Sequence, residues 1–285
     1  MYTNQEIFIV GANGQLGTAL RQQYPNAKFA DVGELDITNA TSVAAYDWSS
    51  IKVILNAAAY TNVDGAETPE GRMAAWKVNA EAVANLARTA TALDLLLVHI
   101  SSDYVFDGSR DFHAEYEPFS PLSVYGASKA AGDIAMSLVP RQYLIRTSWV
   151  IGDGKNFVRT MLDLGKRDIN PTVVADQVGR LTFVSELVRA IDHLLATEGA
   201  YGVYNVSNSG VSASWADITR AIYAIAGLPN TVTDTSTVDY YAGKAGIAPR
   251  PLRSTLDLTK LQASGFASRD WNDDLTDYLQ EEQTV

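Results

Sequence analysis

Apolar residues follow two rhythms along this chain. Short continuous runs bounded by small or polar residues predict strands buried on both faces, at Glu6-Ile7-Phe8-Ile9-Val10, Ile51-Lys52-Val53-Ile54-Leu55, Leu95-Leu96-Leu97-Val98-His99-Ile100-Ser101 and Gln142-Tyr143-Leu144-Ile145-Arg146. Lys28-Phe29-Ala30-Asp31 predicts a further strand, second in chain order. Helical spacing fills the gaps: through Leu20 and Tyr24, from about Asn39 to Thr41 onward, from Pro69 to Ala92, and from Tyr125 through Ile134. Five strands alternating with helices predict an α/β fold, a Rossmann-like, doubly wound parallel sheet.

The pattern changes after residue 150. A glycine-rich loop, Gly152-Asp153-Gly154-Lys155-Asn156-Phe157, precedes a helix to about Lys166, and Thr172–Asp176 predicts a short strand. Val184–Ala196 and Trp215–Ala226 predict helices, Tyr201–Val206 predicts a strand that rejoins the main sheet, and Thr231–Gly246 is expected to be irregular. The chain thus divides into residues 1–150, to which about 180–207 returns, and a small C-terminal α/β lobe of 151–179 and 208–285.

The first strand runs directly into Gly11-Ala12-Asn13-Gly14-Gln15-Leu16-Gly17 and then a helix. In that setting each glycine has a use: a tight turn, close approach of backbone to a pyrophosphate, and close helix–strand packing. Free N–H groups at the helix start then face the phosphates. Residues 1–150 therefore read as a dinucleotide-binding domain. Asp31, at the carboxyl end of the second strand, suits adenosine ribose hydroxyls and disfavours a 2′-phosphate. Asp36 either accepts from an adenine amino group or caps the following helix. Ala57, Ala58 and Ala59, directly after the third strand, let a flat ligand approach the backbone.

Tyr125 and Lys129 stand one helical turn apart on one face. An ammonium there favours the phenolate and is expected to draw the tyrosine below its usual value near 10, making it a proton donor near neutrality. Ser102 and Asp103 fall at the carboxyl end of the fourth strand, where ligands bind in open α/β sheets. A serine hydroxyl there either polarises a carbonyl or caps a loop. His99, in an apolar strand, reads as a core histidine with its hydrogen bonds satisfied.

Composition narrows the classes. A formal net charge of −11 over 285 residues argues against a binder of nucleic acid or anionic membrane, since both need a basic footprint. The absence of cysteine excludes disulfides, thiolate metal sites and cysteine nucleophiles. With no apolar segment of membrane-spanning length and no signal-like start, a cytoplasmic location is expected.

Taken together, Gly11–Gly17, Asn56–Asp64, Ser102–Phe106, Tyr125–Lys129, Arg146–Val150, Asp176–Gly179 and Arg250–Ser254 resemble, collinearly and over nearly the whole chain, the extended short-chain dehydrogenase/reductase superfamily. The likeness is strongest to its reductases of dTDP-linked 4-keto-6-deoxy sugars. It implies NADPH or NADH as cofactor and a nucleotide-sugar substrate. Tyr125 is then the proton donor, Lys129 its modulator and holder of the nicotinamide ribose, and Ser102 the carbonyl-binding hydroxyl, where many relatives carry Thr. Implied cofactor contacts are Gly11, Asn13, Gly14, Gln15, Leu16, Gly17, Asp31, Asp36, Ile37, Ala57, Ala58, Ala59, Tyr60, Thr61, Asn79 and Ser101, with Tyr125 and Lys129. Implied substrate contacts are Ser102, Asp103, Tyr125, Trp149, Asn156 and Arg250, the last because a guanidinium fork suits a diphosphate. Some relatives form a metal-bridged dimer, which makes Glu186 a candidate Mg2+ ligand and leaves monomer and homodimer both open. Two rivals share the fold: a sugar-nucleotide epimerase or dehydratase, and a non-catalytic regulatory subunit. Dehydratases of this group follow the hydroxyl residue with an acidic pair; here Tyr104 follows Asp103. An intact Tyr125, Lys129 and Ser102 weighs against a regulatory role.

Overall fold

Alternate residues of each central strand face opposite sides of one sheet, and both sides are dry. In the computed structural model, which describes residues 2–284, Ile7–Val10 (β1) sends Ile7 and Ile9 to one apolar cluster and Phe8 and Val10 to another. Burial on both faces is why the strands read as unbroken apolar runs rather than as alternation. The chain continues through Gln15–Gln23 (α1), Lys28–Ala30 (β2), Ala40–Ala45 (α2) and Val53–Asn56 (β3). Pro69–Trp76 (α3) and Ala82–Ala92 (α4) follow, then Leu96–Ser102 (β4), Val124–Met136 (α5) and Gln142–Thr147 (β5).

The second half adds Phe157–Lys166 (α6), Val184–Thr197 (α7), Gly202–Asn205 (β6) and Trp215–Ala226 (α8). Thr237–Tyr241 (α9), Thr259–Ala263 (α10) and Trp271–Thr284 (α11) complete the helices. All six strands are parallel, in the order β6-β5-β4-β3-β1-β2. Chain order reverses beside β1, and the crevice there opens at the strand carboxyl ends. α7 packs with α1 on one face, while α2 and α4 cover the other.

A third apolar cluster joins α6, α8 and α11 around Leu162, Phe183, Ile222 and Leu275. The 231–246 stretch is not irregular throughout: Thr233–Thr235 pairs in parallel with Thr172–Val174, and Ser236 caps α9. Its polar composition hid a strand whose exposed side needs no apolar residues. The expected helix from Pro69 to Ala92 is continuous but carries a π turn at Lys77–Glu81. No helix among the described residues is long and apolar enough to cross a membrane.

α5 is seated by backbone contact. A Cβ on Gly126 would fall 2.2 Å from the Tyr104 carbonyl, and one on Gly132 would fall 2.3 Å from the Asn79 carbonyl of the π turn. Ser123 caps its start through the Gly126 N–H, and the buried pair Arg146–Asp133, 2.9 Å apart, ties its far end to β5. Gly132→Ala is therefore expected to lower stability by about 1–3 kcal/mol through overpacking against backbone. A urea midpoint equal to that of the parent protein would contradict this seating.

Candidate active site

The turn after β1 is sterically fixed. Gly11 has φ +72°, and a Cβ there would meet the Ala58 nitrogen at 2.6 Å; one on Gly17 would meet the Gly11 carbonyl at 2.1 Å. Gly14 caps α1 in an extended conformation, leaving the first helical N–H groups without side-chain acceptors. A cavity of about 280 Å³ opens over this turn, walled by Gly11, Gly14, Asp31, Asp36, Ile37, Ala57, Ala58 and Ala59 from the expected set. Val32, directly after Asp31, also lines it, as do Leu35, Thr38 and Val78, which nothing in their spacing marked.

The remaining expected cofactor residues lie beside or behind that wall. Asn13 donates its N–H to Asp31 Oδ2 at 3.1 Å. Asn79 is buried and clamps Tyr60 from both sides, accepting its N–H at 2.9 Å and donating to its carbonyl at 3.1 Å, so it shapes the loop that ends in Thr61. Leu16 is buried in the core, Ser101 lies buried on β4, and Gln15 faces a different hollow. Asp36 is not the cap of α2. Its Oδ1 accepts from the Thr38 N–H and hydroxyl, and Asn39 caps the helix.

At the carboxyl end of β4 the structure brings Ser102, Asp103, Tyr125 and Lys129 together in a nearly dry setting; all four are buried. Lys129 Nζ donates to the Ile100 carbonyl at 2.6 Å. Burial pushes this ammonium down to about 8, with Asp133 pulling the other way. Tyr125 is not drawn below its usual value as its neighbour in sequence suggested. Burial pushes it up to about 12, against the Ser102 hydrogen bond, with Asp103 and Asp133 raising it further. Desolvation outweighs the helical neighbour because Lys129 turns to β4. Ser102 donates to Asp103 Oδ1 at 3.0 Å and accepts the Tyr104 N–H at 3.2 Å. His99 is buried on the same strand, its Nδ1 3.0 Å from the Asn56 amide. Its Nε2 has no partner among the described residues, so the histidine is only half satisfied.

This arrangement fits a nicotinamide cofactor. The glycine turn admits a backbone-hugging phosphate group, the small residues after β3 leave a flat slot, and Lys129 has spent only one of its three N–H donors.

Beyond Tyr104, whose ring meets Tyr125 edge-on at 5.4 Å, lies a second cavity of about 390 Å³. Its walls are aromatic: Trp149 stacks on Trp215 at 3.7 Å, and Phe157, Tyr240 and Tyr241 join them. Arg250 reaches this wall, but its guanidinium is held by Asp64 at 2.9 Å and donates to the Ala248 carbonyl at 2.8 Å. The sequence reading missed Trp215, Met161 and Leu164. The latter two share an apolar face of α6 with Phe157, a periodicity that was legible.

Two expected residues are placed elsewhere. Asn156 does not line the cavity; it caps α6 through the Arg159 N–H and donates to Gly152 and to Tyr278 Oη. Its amide is spent on holding the glycine-rich loop. Glu186 is wholly buried and taken up by Arg189 and by the Arg269 N–H at 3.1 Å. Among the described residues no group of three acidic, histidine or cysteine side chains is set to hold a metal ion.

A family model described as the RmlD substrate binding domain matches residues 5–284. A dTDP-4-dehydrorhamnose reductase of Aggregatibacter actinomycetemcomitans is 39% identical, over 93% of this chain and 95% of that protein. The crystal structure of a dTDP-4-dehydrorhamnose reductase from Clostridium acetobutylicum superposes with a TM-score of 0.89 at 35% identity, covering 97% of this chain and 99% of that one. The Bacillus anthracis enzyme of the same name, solved in complex with NADP, gives 0.87 at 35% identity over 96% and 98% of the two chains. On a match of this extent, the chain belongs to the RmlD family, that of the dTDP-4-dehydrorhamnose reductases.

Proposed function

We propose that this chain reduces the C4 ketone of dTDP-4-dehydro-β-L-rhamnose to dTDP-β-L-rhamnose, the last step in making that nucleotide sugar. One observation carries the reading: Tyr125, buried near Lys129 and Ser102, packs against Tyr104, which lines the aromatic cavity, and against Tyr60, which follows the alanines that wall the glycine-lined cleft. The bound nicotinamide supplies the hydride. Gly11, Gly14 and the start of α1 receive its pyrophosphate, Asp31 the adenosine ribose, and Lys129 the nicotinamide ribose. Tyr125 gives its phenolic proton to the carbonyl oxygen, and Ser102 lies against the same oxygen. With Lys129 at about 8 and Tyr125 at about 12, neutral pH holds an ammonium and an intact phenol together, the pair a ketone reduction starts from.

Trp149, Trp215 and Phe157 offer flat faces to the nucleotide sugar, and Arg250 its guanidinium to the diphosphate. Residues 1–150 with about 180–207 form the cofactor half; 151–179 and 208–285 form the substrate half. Tyr104 in place of an acid after Asp103 favours simple reduction over dehydration.

The test is a coupled assay with the 4-keto sugar nucleotide and each reduced cofactor in turn. Tyr125→Phe is expected to lower turnover by about 10²–10⁴-fold while the affinity for reduced cofactor, followed by fluorescence, stays within about twofold. A variant keeping most of its rate would remove Tyr125 from this role. Asp31 disfavours a 2′-phosphate, so kcat/KM with NADH is expected to exceed that with NADPH. Asp31→Asn is expected to close that gap, and an unchanged ratio in the variant would show that the preference is set elsewhere.

A further inference from the structure

We infer that Asp103 is the positioning residue of this centre: in its protonated form it turns the Ser102 hydroxyl toward the substrate, and in its ionised form it withholds it. The inference rests on the reductase reading above and goes beyond it. Ser102 Oγ accepts the Tyr104 N–H at 3.2 Å, and its own hydrogen goes to Asp103 Oδ1 at 3.0 Å. A carboxylate can only accept. With Asp103 ionised, the serine hydrogen is spent, and Oγ offers only its remaining lone pair. A ketone oxygen, itself an acceptor, gains nothing from that atom, and the Tyr125 phenol finds there a competitor for its proton. Protonation reverses the chain: Asp103 donates to Ser102, and the serine hydrogen is freed to join Tyr125 on the ketone oxygen.

The surroundings favour the neutral acid. Asp103 is 3% exposed, and its Oδ2 is buried without a hydrogen-bond partner among the described residues. A bare carboxylate oxygen in so dry a place costs far more than a neutral carboxyl group does. The ionisable and polar groups facing it are Tyr104 from its own turn, Tyr125 from α5, His113 from the loop before α5, and Ser254 from the C-terminal lobe. No cation pairs with it among the described residues; Arg250, the guanidinium felt by neighbouring Tyr104, is held by Asp64. Burial accordingly lifts the acid to about 6, against the opposing pull of the Ser254 and Ser102 hydroxyls and of His113.

The proton balance closes. The reduced nicotinamide, when bound, would supply hydride to the carbonyl carbon, and the Tyr125 proton goes to its oxygen. The phenolate recovers a proton from Ser102 as Asp103 passes its own to Oγ. Asp103 is left ionised and takes one proton from solvent before the next turnover.

Because kcat/KM reports the free enzyme, the parent protein should lose kcat/KM above about pH 6, from Asp103, levelling toward the rate of Ser102→Ala, and fall again above about 8, where Lys129 loses its charge. Asp103→Asn, whose amide donates to Ser102 at every pH, should lack the first descent and keep the second, with kcat lowered because no proton follows. Ser102→Ala, slower throughout, should lack the first descent too, and decides the matter if Asp103→Asn does not fold. Infrared difference spectra of parent minus Asp103→Asn, without substrate, should show a protonated carboxyl band that titrates near pH 6. The inference is overturned by a first descent that persists in either variant, by its absence from the parent, or by the absence of the band. Tyr125→Phe separates the two readings: turnover in it sinks the reductase assignment, whereas an inactive Tyr125→Phe beside an unaltered Asp103→Asn profile sinks only the role of Asp103.

Discussion

The close approach of α5 to the Tyr104 turn and to the π turn at Asn79 is the constraint from which the centre follows. It is possible only because Gly126 and Gly132 carry no side chain. With the helix so near, Lys129 reaches the Ile100 carbonyl on β4, and Tyr125 comes against Ser102 at that strand's end. Asp133 lands beside Arg146 on β5, burying a charge pair with its partner in place.

Burial, rather than any single neighbour, sets the protonation states here. It raises Tyr125 and Asp103 and lowers Lys129, each toward its neutral form. The effect is unequal in its consequences. Lys129 at about 8 stays charged at neutrality and Tyr125 at about 12 stays a phenol, whereas Asp103 at about 6 sits where a modest change of pH alters its population. One common cause therefore gives a permanent donor, a nearly permanent cation and one group that responds to its surroundings.

Much of this was legible in residue order. Runs buried on both faces announced the strands, and the glycines after β1 announced the turn, because sterics that only glycine meets leave a mark at fixed spacing. What was hidden depends on distant partners. Nothing around Arg250 shows that Asp64, far earlier in the chain, holds it, nor that Asn156 is spent on Tyr278. The expected depression of Tyr125 failed for a related reason: i,i+4 spacing places two residues on one face, but the length of a lysine lets it choose a partner off the helix. The strand at Thr233–Thr235 escaped notice because an edge pairing against Thr172–Val174 asks little of its side chains.

Trp149 shows how the end of β5 is tied to later parts of the chain. It leaves β5 with φ +46°, a left-handed conformation that a bulky side chain rarely adopts. Such a backbone costs about 1–3 kcal/mol and persists only where its surroundings over-determine it. Here they do. The indole stacks on Trp215 at the start of α8 and lies against Gly179, where a Cβ would come within 3.0 Å of its ring. Its carbonyl accepts the Thr182 N–H at 3.1 Å. The strain at the exit of the sheet is thus offset by contacts that belong to the second half of the chain. The aromatic wall of the cavity is built by the same stacking that holds the turn after β5.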